Sequence, residues 1–232
     1  MEAIVLAGGF GTRLRHIVPD VPKPMAPMDA AGTPFLQFLL DELLRQGVER
    51  VVLSTGYLDE VIVSYFGTSY RGMAIQYSHE DTPLFTGGAV KKALTCCAEP
   101  QVFVLNGDTF FGVDLPAMLQ QHCAQRADFT IAVKEMRDFD RYGTVVFGED
   151  RRIRAFCEKQ PCACGWINGG VYCLRRDLLQ DFPQEKFSLE KDFMEKYPEK
   201  LRLLAFLSDG YFIDIGIPED YYRAQREMIA AP

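Results

Sequence analysis

Histidine is scarce in this 232-residue chain, and the three present (His16, His79, His122) have no catalytic partner beside them in sequence. Each is therefore read as structural or surface. Positive charge is also short: 25 Lys and Arg against 32 Asp and Glu leave a net charge of −7. That excludes a broad nucleic-acid or membrane-surface face, because phosphate polymers need a positive one, but a single pocket needs only a few cations. No apolar run approaches the roughly 20 residues of a membrane span. The start "MEAIVLAGG" lacks the basic segment of a secretory leader and runs straight into a strand-like stretch, so a cytoplasmic location is expected. Seven cysteines are an odd, scattered number. Cys96 and Cys97 are adjacent, and Cys162 and Cys164 have no matching second pair, which is poor zinc spacing. They are expected as reduced structural thiols. No linker, repeat or low-complexity tract is present, so one domain over 1–232 is expected, with halves at 1–127 and 128–232.

What is present is an alternation. "AIVLA" (3–7) is a continuous apolar run, as in a strand buried on both faces. "PFLQFLLDELLRQG" (34–47) opens on proline and closes on glycine, the usual helix asymmetry. Strands follow at 50–55, 73–78 and 102–108, with helices at 58–67 and 86–94 between them. Such alternation implies parallel strands joined by right-handed crossovers. The segments at 128–136, 142–159 and 167–175 read as extended, adding antiparallel or mixed strands. In open α/β sheets ligands sit at the carboxyl ends of strands. "LAGGFGTRLR" (6–15), Asp108 and Asp214 all follow apolar runs there.

The glycine loop fails both dinucleotide and Walker tests. Leu14 stands where a third fingerprint glycine belongs, and no G-x-x-x-x-G-K-[ST] string exists. What remains is a glycine turn able to present consecutive N–H groups to an anion, with Arg13 as a charged fork and Lys23 held between Pro22 and Pro24. Glycines alone leave an ordinary turn equally open. Two strand-end carboxylates, Asp108 and Asp214, tip the balance, since phosphate chemistry with a magnesium-type ion needs such ligands. Arg15 is read as a solvated charge.

With these residues in place, the chain resembles the sugar-phosphate nucleotidyltransferase family. "LAGGFGTRLR" followed by "PKPM", then "TGGA", "NGDTFF", "FCEK", "NGGVY" and "FIDIGIPEDY", occur in family order over essentially the whole length. Within the family, "VPDVPKPMAP", "TGGAVKKAL" and "VLNGDTFFGVDL" are similar to the D-glycero-D-manno-heptose 1-phosphate guanylyltransferase branch. The resemblance implies a Rossmann-like three-layer α/β/α fold around a mostly parallel mixed sheet. It implies that Arg13 and Lys23 act on the triphosphate, within a nucleotide site of Leu6, Gly8, Gly9, Gly11, Thr12, Glu80, Gly87, Gly88 and Asp108. Gly87 and Gly88 would let the backbone approach the base. Asn106, Gly143, Glu158, Lys159, Asn168 and Glu190 would face the sugar phosphate, and Asp108 and Asp214 would hold Mg²⁺.

The implied substrates are a nucleoside triphosphate and a sugar 1-phosphate, with no nucleic acid and no membrane; self-association as a homo-oligomer stays open. Mannose 1-phosphate guanylyltransferase, N-acetylmuramate 1-phosphate uridylyltransferase and glucose 1-phosphate thymidylyltransferase are rival readings, as is a catalytically silent nucleotide-sugar sensor. The sensor should lack Arg13 or the carboxylates, and all are present. One departure is visible: many guanylyltransferases of this type read P-L-G-T, whereas this chain has "PLFT" with Phe85 at the glycine position. Phenylalanine is costly at positive φ. The expectation is therefore an ordinary backbone, with Phe85 walling the base pocket.

Overall fold

A computed structural model describes residues 1–9, 13–197 and 200–230, apart from the side chains of 229 and 230. The first half runs β1 (Glu2–Leu6), α1 (Phe35–Arg45), β2 (Arg50–Thr55), α2 (Asp59–Phe66), β3 (Ser69–Tyr70), β4 (Met73–His79), α3 (Phe85–Leu94) and β5 (Gln101–Asn106). The second half runs β6 (Thr109–Phe111), α4 (Leu115–Ala124), β7 (Phe129–Phe139), β8 (Thr144–Phe147), β9 (Ile153–Cys157), β10 (Cys162–Arg175), β11 (Leu203–Leu207), β12 (Phe212–Asp214) and α5 (Pro218–Ala230).

β1 is buried on both faces, and its side chains alternate between two cores. Ala3 and Val5 pack on one side with Phe35 of α1, Ile62 of α2, Met118 of α4 and Tyr221 of α5. Ile4 packs on the other with Val90 of α3, Phe187 and Phe193. Helical layers therefore cover both faces of a mixed sheet, as a parallel core requires. β5, β1, β2 and β4 run parallel. β10 lies antiparallel to both β5 and β7, and β11 runs parallel to β7. Both halves thus contribute to one sheet, in the order β11-β7-β10-β5-β1-β2-β4-β3.

Besides the short β3 and β6, two longer elements escaped the sequence pattern. α4 begins at Asp114, whose side chain accepts from the Ala117 amide at 2.9 Å. Its buried stripe is only Leu115, Met118 and a histidine, His122, which masks the helical period. β11 stands at the sheet edge beside β7. Among the described residues, no helix is long and apolar enough to cross a membrane. All seven cysteine thiols are free.

His122 is 1% exposed and lies within hydrogen-bonding distance of Thr130 Oγ1 (2.8 Å) and Gln101 Oε1 (2.9 Å). Burial pushes its pKa down from 6.5 to about 4. The fold holds the neutral ring, so the unfolded chain binds the extra proton and stability falls as pH drops from 6.5 toward 4. The loss between pH 7 and 5 should be about 2 kcal/mol. Urea midpoints across that range test this: His122→Gln should flatten the slope, and equal slopes would contradict the assignment.

Candidate active site

At the carboxyl ends of the parallel strands lies a cavity of about 700 Å³, lined by Gly8, Gly9, Arg13, Lys23, Glu80 and Asp108 among others. Leu6 and Asn106, at the ends of β1 and β5, complete its floor. Gly107 crosses directly over β1, its amide donating to the Leu6 carbonyl at 3.0 Å. A Cβ at Gly107 would collide with that same carbonyl, so glycine is required for the turn that presents Asp108.

β6 and β12 form a separate antiparallel pair in which Asp214 lies opposite Thr109. The Ile215 amide donates to the Asp108 carbonyl at 3.0 Å. This pairing sets Asp214 beside Asp108. Lys23, in a short 3₁₀ turn (Lys23–Met25), reaches between them: Nζ is 2.6 Å from Asp108 Oδ2 and 3.8 Å from Asp214 Oδ1. Only 9% of the Lys23 side chain is exposed. Burial raises the Asp214 pKa, the negative charge of Asp108 adds to the rise, and Lys23, the Gly216 amide and Arg13 oppose it. The Gly216 amide donates to Asp214 Oδ1 at 2.7 Å.

Two carboxylates around one ammonium leave a net negative pair. That pair suits a hard divalent cation, which takes one or two protein carboxylates and draws its other ligands from water and substrate phosphates. Among the described residues no group of three or more metal-ligating side chains forms, so such an ion would depend on those outside ligands.

Of the residues singled out in sequence, Leu6, Gly8, Gly9, Arg13, Lys23, Glu80, Asn106 and Asp108 converge on the cavity. Gly11 and Thr12 lie outside the described residues. Gly87 and Gly88 do not line the cavity. They are buried in α3, where a Cβ on Gly87 would strike the Phe187 ring and one on Gly88 the Glu185 carbonyl. Their close backbone approach is thus to the 185–187 segment, whereas a base had been expected there.

The sugar-side candidates divide. Asn168 precedes a register shift in β10, its Oδ1 accepting from the Gly170 amide (2.9 Å) and its Nδ2 donating to Tyr172 Oη (3.0 Å). Tyr172 in turn donates to Glu190 at 3.4 Å, and Glu190 accepts from Thr86 Oγ1 at 2.7 Å. Thr86 lines the cavity, so this chain of polar groups opens on its wall. Glu190 sits in a π-helical turn (Leu189–Met194), a form often found at functional sites. Glu158 is 80% exposed and pairs with Lys191 at 3.7 Å, Lys159 is exposed, and Gly143 packs on the Cys157 carbonyl. These three stand apart from the cavity.

Three expectations change. His79 lines the cavity as well as standing at the surface, with Nδ1 2.6 Å from Asp59 Oδ2; its place at the end of β4 was the available signal. Arg15 is more than a solvated charge, since it donates to Tyr57 Oη at 2.9 Å and stacks over that ring at 5.3 Å. Phe85 lines the cavity, but its backbone is not ordinary: φ is +60°.

A family profile described as nucleotidyl transferase matches residues 2–230. The chain belongs to the nucleotidyl transferase family. This nucleotidyl transferase is 49% identical over 229 residues to the D-glycero-alpha-D-manno-heptose 1-phosphate guanylyltransferase of Aneurinibacillus thermoaerophilus, covering 98% of each chain. It is 47% identical to the protein of the same name from Campylobacter jejuni, over 96% of this chain and 97% of that one. Among solved structures it superimposes on HddC from Yersinia pseudotuberculosis in complex with GMP-PN, with a TM-score of 0.86 and 37% identity over 98% and 99% of the two chains. A Bacillus anthracis structure named "Putative Glucose-1-Phosphate Thymidylyltransferase", only 20% identical, shares the fold at a TM-score of 0.85 over 97% and 94% of the two chains.

Proposed function

We propose that this nucleotidyl transferase joins the guanylyl group of GTP to D-glycero-D-manno-heptose 1-phosphate, releasing pyrophosphate, in the cytoplasmic supply of GDP-heptose for bacterial surface polysaccharide. The Lys23–Asp108–Asp214 cluster at the head of the cavity carries this reading, because it combines a phosphate-seeking cation with a metal-seeking carboxylate pair. The heptose rests on the relatives at 49% and 47% identity.

The chemistry is displacement at the α-phosphorus. A sugar-phosphate oxygen forms the new P–O bond while the bond to the β-phosphate oxygen breaks, and its electron pair leaves with pyrophosphate. The nucleophile is already anionic at neutral pH, so no protein base is needed; positioning and charge neutralisation suffice. Mg²⁺ held by Asp108 and Asp214 would supply further charge neutralisation at the phosphates. Arg13 and Lys23 bind and orient the triphosphate oxygens. Asn106, Asn168 and Glu190 hold the sugar phosphate from the β5–β10 side.

Glu80 reads the base. Ser54 Oγ donates to its Oε1 at 3.1 Å and the Leu84 amide to Oε2 at 3.0 Å, which fixes the carboxylate at the cavity wall. Guanine offers two adjacent donors, N1–H and the 2-amino group, to such an acceptor pair; adenine and the pyrimidines do not. Glu80→Gln should lower kcat/KM for GTP by about 10- to 100-fold, the worth of a hydrogen bond to a charged group. It should leave any turnover of ATP and UTP unchanged. Pyrophosphate release with four nucleoside triphosphates and the heptose 1-phosphate tests this, and an unchanged preference for GTP would refute it.

A further inference from the structure

Phe85 combines three properties that rarely meet in one residue. It lines the active-site cavity, it is 59% exposed, and its backbone sits at φ +60°. Left-handed backbone is costly for a residue with a Cβ and persists only where its surroundings enforce it. Here they do so from both sides. The Leu84 amide is tied to Glu80 Oε2 at 3.0 Å, and the Leu84 carbonyl accepts from the Phe187 amide at 3.1 Å. Two residues on, the Gly87 amide donates back to the Phe187 carbonyl at 2.9 Å. The loop leaving β4 and the 185–187 segment thus clamp the first turn of α3, and residue 85 takes the φ that remains. Glycine would satisfy that geometry without strain. A large apolar ring carried there, mostly in water, gains little for the fold beyond the Lys186 ammonium over one face.

We propose that Phe85 is a base-stacking, affinity-determining residue of this site: its ring closes over the purine held by Glu80. The ammonium of Lys186 lies 4.8 Å from the ring centroid, which leaves the ring's opposite face for the base. Stacking on an aromatic ring is sequence-tolerant, so Phe85 sets how tightly the nucleotide is held while Glu80 sets which base is chosen. This deepens the guanylyltransferase reading and rests on it for the identity of the base.

The test is titration calorimetry of Mg-GTP and of inorganic tripolyphosphate on the full chain, with F85A, F85G and F85W beside wild type. F85A and F85G should each weaken GTP about tenfold, at the low end of the range for one stacked base. F85W should stay within about threefold of wild type. Tripolyphosphate, which has no base, should bind all four proteins alike. F85G should melt about 2–4 °C above F85A, because only glycine relieves the backbone. Wild-type GTP affinity in either F85A or F85G would overturn the proposal. So would a parallel loss of tripolyphosphate binding, which would mark general damage to the site. F85G melting no higher than F85A would overturn the strain argument. If wild type prefers another nucleotide, the guanylyl reading fails, and the alanine-to-phenylalanine contrast measured on that nucleotide still decides the stacking.

Discussion

Asp108→Asn should lower kcat by about three orders of magnitude while the protein stays folded, the scale expected when a key electrostatic partner of phosphoryl transfer is lost. The side chain sits in a turn fixed by backbone contacts: Gly107 to Leu6 on one side and Ile215 to the Asp108 carbonyl on the other. Neither uses the carboxylate, so asparagine keeps the turn. What disappears is one of two negative charges around Lys23 Nζ, and with it half of the carboxylate pair proposed to hold a divalent cation. Steady-state pyrophosphate release, with circular dichroism as the folding control, measures the effect. Turnover within tenfold of wild type would remove Asp108 from the reaction.

Lys23→Met should have the second-largest effect, about 10²- to 10³-fold in kcat/KM, the range for losing a preorganised donor at the reacting phosphate. It also carries a signature that plain misfolding would not. Without its ammonium the carboxylates of Asp108 and Asp214 face each other with no cation between them, and Asp214 is already pushed upward in pKa by burial and by Asp108. Stability should fall by about 1–2 kcal/mol, a modest figure because 39% of the Asp108 side chain meets solvent. A divalent cation should refill the gap, so Mn²⁺ should bind the nucleotide-free Lys23→Met protein more tightly than wild type. Electron paramagnetic resonance of free Mn²⁺ reads this directly, and weaker binding in the variant would contradict a shared place for lysine and metal.

The frame of this site was legible in the sequence because it rests on local signals. Strand-end position picked out Asp108 and Asp214, and the flanking prolines marked Lys23 as constrained. What joins them was not legible. Lys23 and Asp108 are 85 residues apart, and the place of Asp214 beside them depends on the three-residue pairing of β6 with β12, too short to leave a pattern. Gly87 and Gly88 were conspicuous as glycines, but a glycine signals close approach without naming the neighbour, which is Phe187 and Glu185. The left-handed backbone of Phe85 was hidden for a related reason. Local preference argues against it, and it is imposed by hydrogen bonds to Glu80 on one side and to Phe187, about 100 residues distant, on the other. The buried His122 similarly disguised α4 by placing a polar residue in its apolar stripe.

The sugar is the central claim most open to direct test. Pyrophosphate release at fixed GTP and Mg²⁺ should be compared across D-glycero-D-manno-heptose, mannose, glucose and N-acetylmuramate 1-phosphates. The heptose should give the highest kcat/KM, by about tenfold or more over mannose, the scale of a few added hydroxyl contacts. A higher value for mannose or for either other sugar would contradict the assignment.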